Sequence, residues 1–78
     1  MSLTDREMDI LEMAARGWTN CGIAAYYDIS RQTVKNHMSS VMAKLCVTSR
    51  TGAVVVAFQL GLIDLFHVRV ERTYDHED

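Results

Sequence analysis

Residues 28–45 constrain this chain more than any other segment. Val34, Met38, Val41 and Leu45 recur at alternating three- and four-residue spacing. Helical residues turn by about 100° each, so these four fall on one narrow stripe of a helix. Ser30 stands just before it, where its hydroxyl can accept from the unpaired amides of the first turn. Gln32, Lys35, Asn36, Ser39, Ser40 and Ala43 fall around the opposite side. A helix that merely meets water draws on Glu and Lys. This side offers amides, hydroxyls and one ammonium, the groups that hydrogen-bond base edges in a major groove. Taken alone, the segment fits a Ser- and Asn-rich surface helix equally well.

The residues upstream favour the base-reading alternative. Asn20–Tyr27 follows a capping residue, Thr19, and carries Ile23, Ala24 and Tyr27 on one apolar edge. About three residues separate it from the long helix. Two helices joined so tightly form a helix-turn-helix unit, with small Ala24 where they approach. In such a unit the second helix, here about residues 31–45, enters the groove and the first lies across the backbone. Further upstream, Thr4 and Glu7 have capping-box spacing. The helix they open is predicted to run to Arg16 and to stop at Gly17. Its apolar positions read as Met8, Leu11 and Ala15, with Ala14 and Ile10 peripheral, and Asp5, Asp9, Glu12 and Arg16 line the other side. An acidic stripe cannot face phosphates, so that side is expected to point away from nucleic acid.

These anchors lie in a familiar order: Leu3-Thr4-x-Arg6-Glu7, Gly17-x-Thr19-Asn20-x-x-Ile23-Ala24, Ile29-Ser30-x-x-Thr33-Val34-Lys35-x-His37, Lys44-Leu45-x-Val47-x-x-Arg50-Thr51-x-Ala53-Val54 and Gly61-Leu62-Ile63. From Leu3 to Ile63 the chain resembles the LuxR/FixJ/GerE-type DNA-binding domain. The resemblance implies an all-α fold, a four-helix helix-turn-helix domain over residues 1–64, with a short C-terminal extension at 65–78. Most family members carry the domain at the end of a larger regulator and a few are the domain alone; this chain resembles the stand-alone, GerE-like form. Three departures stand out. Cys21 and Gly22 replace a basic and an acidic residue, which removes a capping-box partner for Thr19, and Tyr27 fills a leucine slot.

Seventy-eight residues make one domain with a small core. Such cores supply only a few kcal/mol of stability, about 3–5. No run is long enough to cross a membrane, and no charged-then-apolar leader is present. Cys21 and Cys46 lack pairing or metal spacing and read as reduced thiols of a cytoplasmic protein. His37, His67 and His76 are too scattered for a metal site. No phosphate loop, nucleophile elbow or carboxylate pair is found. No cofactor, small-molecule ligand or enzymatic activity is therefore expected. The net charge is −2, but residues 71–78 carry −3 and leave the rest at +1. Attraction to DNA must then depend on placed cations rather than on a broad positive field.

Lys35, Asn36 and Ser39 are the candidate base readers. Lysine donates to guanine O6/N7, and asparagine can pair with adenine N6/N7; the resemblance places its usual base-reading positions on the same three residues. Ser39 is shorter than the basic residue of some relatives. Gln32, Ser40 and Ala43 flank the face as weaker candidates. Arg31, Thr33, Lys44 and Arg50 are candidate phosphate contacts, joined by Thr19 and Asn20 at the start of the shorter helix. His37 is expected to pack with a hydrogen bond at the edge of the apolar stripe. Trp18 is expected to form a core plate between the first two helices, with Tyr26 and Tyr27 packing likewise.

Ala53–Leu60 is apolar on nearly every side, and periodicity alone does not separate helix from strand there. The resemblance decides for a helix stopped by Gly61, and implies a homodimer through it. Val55 and Gln59 lie on one edge of this helix and Val56 and Leu60 on another; all four are candidate interface residues. In the extension, Phe66, Val68 and Val70 alternate with polar residues in a strand-like period. The sequence thus reads as a double-stranded DNA-binding transcriptional regulator. The alternative is an interaction module that pairs with and modulates a larger regulator of the same type.

Overall fold

Each helix opens on a hydroxyl. In the computed structural model, which describes residues 2–64, α1 (Asp5–Ala15), α2 (Asn20–Tyr27), α3 (Arg31–Leu45) and α4 (Arg50–Gln59) follow one another. Their N-caps are Thr4, Thr19, Ser30 and Ser49, and each side chain accepts from the backbone amide three residues on. That bond satisfies one of the amides a helix start leaves unpaired. In α1 it is reciprocated: the Glu7 carboxylate accepts from the Thr4 amide at 2.9 Å. In α2 the position of Glu7 is taken by Gly22, and the cap is one-sided. The Ser49 cap starts α4 a turn before its apolar run, earlier than sequence periodicity suggested.

The helix ends share a pattern too. Gly17, Asp28, Cys46 and Gly61 all have left-handed backbone, with φ of 96°, 57°, 59° and 77°. The amide after each one reaches back five residues: Trp18 to Met13 O, Ile29 to Ala24 O, Val47 to Met42 O and Leu62 to Ala57 O, at 2.8–3.1 Å. This closure pairs carbonyls that would otherwise be orphaned and turns the chain sharply. Glycine adopts this conformation freely; aspartate and cysteine do so at a cost.

α3 is the central element and packs on α1, α2 and α4, while α1 also meets α2 and α4. The core comprises Ile10, Leu11, Met13 and Ala14 of α1, Ile23 and Ala24 of α2, Val34, Met38 and Val41 of α3, Ala53 and Ala57 of α4, and Ile63. The α3 stripe is as its sequence predicts, with Leu45 half-buried at its end. The α1 stripe is rotated from the expected one: Ile10 and Ala14 are central, Met13 joins them, and Met8 and Ala15 are half-buried. A helix with three neighbours buries a wider arc than one apolar edge. Tyr26 is 64 % exposed rather than packed in the core. Its ring meets Trp18 edge-on at 5.5 Å and Tyr27 at 4.9 Å, and Arg6 caps the Tyr27 ring at 4.2 Å. The strand-like pattern of the C-terminal extension lies outside the described residues.

Cys46 offers a stability test. A left-handed residue with a Cβ costs about 1–2 kcal/mol, part of which glycine returns as unfolded-state entropy. Cys46→Gly is expected to stabilise the domain by about 1 kcal/mol, raising a thermal midpoint by roughly 4–8 °C. Cys46→Ala, which keeps the Cβ, is expected to show no such gain.

Candidate nucleic-acid interface

The core side of α3 is closed by Val34, Met38 and Val41, so the helix period places Gln32, Asn36, Ser39 and Ala43 opposite. All four are exposed, as are Arg31 and Lys35. Lys35 stands on the shoulder facing α2. There it lines an open groove of about 570 Å³ with Asn20, Arg31 and Gln32. A smaller hollow of about 220 Å³ continues from it between Asn20, Lys35, Met38, Ser39, Met42 and Arg50. The three base-reading candidates thus share one accessible side, and Asn20, Arg31 and Lys35 border the same groove. Gln32 donates from Nε2 to Asn36 Oδ1 at 3.0 Å. Thr33 is half-buried, and its hydroxyl lies 2.8 Å from that of Ser30. Thr19 is occupied as the α2 cap.

The opposite shoulder of α3 is turned toward α1. Lys44 Nζ lies 2.7 Å from Glu7 Oε1 and 3.3 Å from the Ser2 carbonyl oxygen. Ser40 donates to Glu7 Oε2 at 2.6 Å. Lys44 ties α3 to α1 in this fold. Arg50 is likewise engaged within the fold. It donates to Asn20 Oδ1 and to the Trp18 carbonyl, which fastens the start of α4 to the start of α2. His37 is half-buried in the middle of α3.

Glu7 is the residue sequence reasoning undervalued. It is buried, and the Lys44 ammonium, the Ser40 hydroxyl and the Thr4 amide lower its pKa to about 2 against the opposing effect of burial. A signal was present: Glu7 stands three, four and seven residues before Ile10, Leu11 and Ala14, in the middle of the buried arc. The capping-box reading accounted for one of its oxygens and left the other without an assignment.

With this geometry in hand, the chain can be set beside known proteins. Residues 1–57 match the family model described as bacterial regulatory proteins, luxR family. The chain belongs to the LuxR/GerE family. It is a LuxR-type helix-turn-helix DNA-binding domain. Over 61 residues it is 49 % identical to the response regulator protein VraR of Staphylococcus aureus and to that of Staphylococcus saprophyticus. Those alignments cover 78 % of this chain and 29 % of each relative, so the chain spans less than a third of their length. The solved structure of transcription factor GerE superposes with a TM-score of 0.76 at 35 % identity, covering 81 % of this chain and 94 % of that one. Response regulator ChrA of a heme-sensing two-component system gives a TM-score of 0.77 at 40 % identity, covering 81 % and 31 %. The four-helix architecture is therefore that of the family. Among the described residues no single helix is long and apolar enough to cross a membrane, and no cluster of His, Cys, Asp and Glu could hold a metal.

The lowered pKa of Glu7 predicts an acid-side loss of stability. Its folded-state pKa lies below the unfolded value. The ionised carboxylate therefore contributes fully above about pH 4.5, and the contribution is lost as the pH falls toward 2. Glu7→Gln keeps an acceptor for Thr4 but loses the charge that Lys44 meets. Thermal melts from pH 7 to pH 2 are expected to show the variant less stable at neutral pH, by about 1–3 kcal/mol. The gap should close below pH 4.5, whereas a constant gap would mean that the ionised pair contributes nothing.

Proposed function

We propose that this domain acts as a sequence-specific, double-stranded DNA-binding transcriptional regulator and works as a homodimer. α3 enters the major groove, and the two half-sites lie about one helical turn apart. The observation that carries the reading is the open outward side of α3. Its amides and hydroxyls are exposed, and Arg31 and Lys35 stand at its N-terminal end, the end that reaches base edges in this motif. Lys35, Asn36 and Ser39 read bases. Arg31, Thr33, Asn20 and the backbone at Thr19 meet phosphates. Lys44 and Arg50 hold the helices that present these groups. The exposed acidic residues Asp5, Asp9 and Glu12 of α1 stay clear of the duplex.

Support for the dimer comes from α4. It buries Ala53 and Ala57 against its own domain and leaves Val55 48 %, Phe58 45 % and Leu60 63 % exposed. A single helix that exposes so many large apolar groups favours a partner surface. Gln59 is exposed beside them and Val56 is half-buried at the edge, so the interface is centred on Val55 and Phe58.

Three measurements test it. Arg31 from two protomers places about two cations on phosphates, so log affinity is expected to fall with log salt at a slope of about −2. Binding that ignores salt would exclude this mode. Lys35→Ala is expected to cost about 1–3 kcal/mol and to relax preference at one base position. For the dimer, Val55→Asp is expected to shift the sedimenting species to monomer and to weaken DNA binding. A Val55→Asp protein that still sediments as a dimer would exclude α4 as the interface.

A further inference from the structure

The outward side of α3 holds one contact whose consequence reaches beyond the three assigned base readers. Gln32 and Asn36, one turn apart and both exposed, are joined through Gln32 Nε2 and Asn36 Oδ1 at 3.0 Å. Their two neighbours on that side, Ser39 and Ala43, are short. The tall part of the ridge is therefore the amide pair. It stands in the first two turns of α3, the part of a recognition helix that reaches base edges.

A joined pair offers different chemistry from two free amides. Asn36 alone could present its carbonyl and its NH2 to one base, but here one of the carbonyl's two lone pairs accepts from Gln32. The groups of the pair that make no bond to each other are the Gln32 carbonyl, an acceptor, and the Asn36 NH2, a donor. Turning both amides over exchanges the roles and leaves the same set, one free carbonyl and one free NH2 on the pair. In the major groove, the base offering a matching donor and acceptor together is adenine, through N6–H2 and N7. Guanine shows two acceptors, cytosine a donor, and thymine an acceptor beside its methyl.

We propose that Gln32 is a specificity-determining residue that acts with Asn36 as one acceptor–donor head selecting adenine. The proposal rests on the DNA-binding reading above and adds a residue and a base to it. Lys35 lies on the α2 shoulder, in the groove with Asn20 and Arg31, and reads a separate position.

The test begins with duplexes selected from a random pool by the wild-type protein. Affinities of wild type, Gln32→Ala, Asn36→Ala and the double variant are then measured on the selected site and on sites with each adenine replaced. Both side chains are exposed and alanine is the strongest helix former, so circular dichroism is expected to show all four proteins folded. Each single variant is expected to lower the preference for the same adenine by about 5- to 150-fold. The double variant is expected to lose no more than the worse single one, because either change breaks the head. Full retention of adenine preference in Gln32→Ala overturns the proposal and leaves the DNA reading standing. Additive losses at two different bases do the same. A wild-type protein that enriches no duplex removes the DNA reading and this proposal with it.

Discussion

One carboxylate fixes how the central helix is presented. Glu7 takes a proton donor from its own helix start, at Thr4, and two from α3, at Ser40 and Lys44. Ser40 and Lys44 are four residues apart and so share one shoulder of α3. Pinning both to α1 limits the rotation of α3 about its axis in a way that apolar packing alone does not, since hydrocarbon contacts are non-directional. Burying an acid is costly in itself. Three donors offset that cost, and Lys44 keeps part of its side chain in water, so the pair is not a fully desolvated one. With this shoulder held and Val34, Met38 and Val41 turned inward, the outward direction of Gln32, Asn36 and Ser39 follows from helix geometry.

What the sequence revealed and what it concealed divide along sequence distance. The bounds of α2 and α3, the caps at Thr4, Thr19 and Ser30, and the stops at Gly17 and Gly61 all depend on interactions spanning a few residues. They were legible. The features hidden from the sequence depend on partners far along the chain. Lys44 meets Glu7 across 37 residues, and Arg50 meets Asn20 across 30. A cation near the end of a polar helix gives no local sign of the buried acid it meets in the fold. The rotation of the α1 stripe has the same origin, because the width of a buried arc depends on how many helices pack against it. Tyr26 failed for a different reason. An aromatic residue on a short helix is usually core, but Ile23 and Ala24 already fill the side of α2 that meets α3, and Tyr26 is left against Trp18 and Tyr27 at the surface.

These internal ties also account for a near-neutral chain on a fold that meets a polyanion. The domain uses Lys44 and Arg50 to join helices, and Arg6 lies over Tyr27. The exposed cations of α3, Arg31 and Lys35, stand at its start, where no acidic residue accompanies them. For a helix considered by itself this placement is unfavourable. The partial positive charge of an N-terminus repels cations by about 0.3–1 kcal/mol each and favours Asp or Glu there. α1 follows the favourable rule, with Asp5 and Glu7 in its first turn. α3 breaks it on the side that faces outward. Local stability alone would select against such an arrangement, and departures from local consistency concentrate at functional sites. A phosphate backbone laid across this end of α3 reverses the sign of the balance. Helix amides, macrodipole and Arg31 then act on the same negative charge, and the repulsion carried by the free domain is relieved on binding.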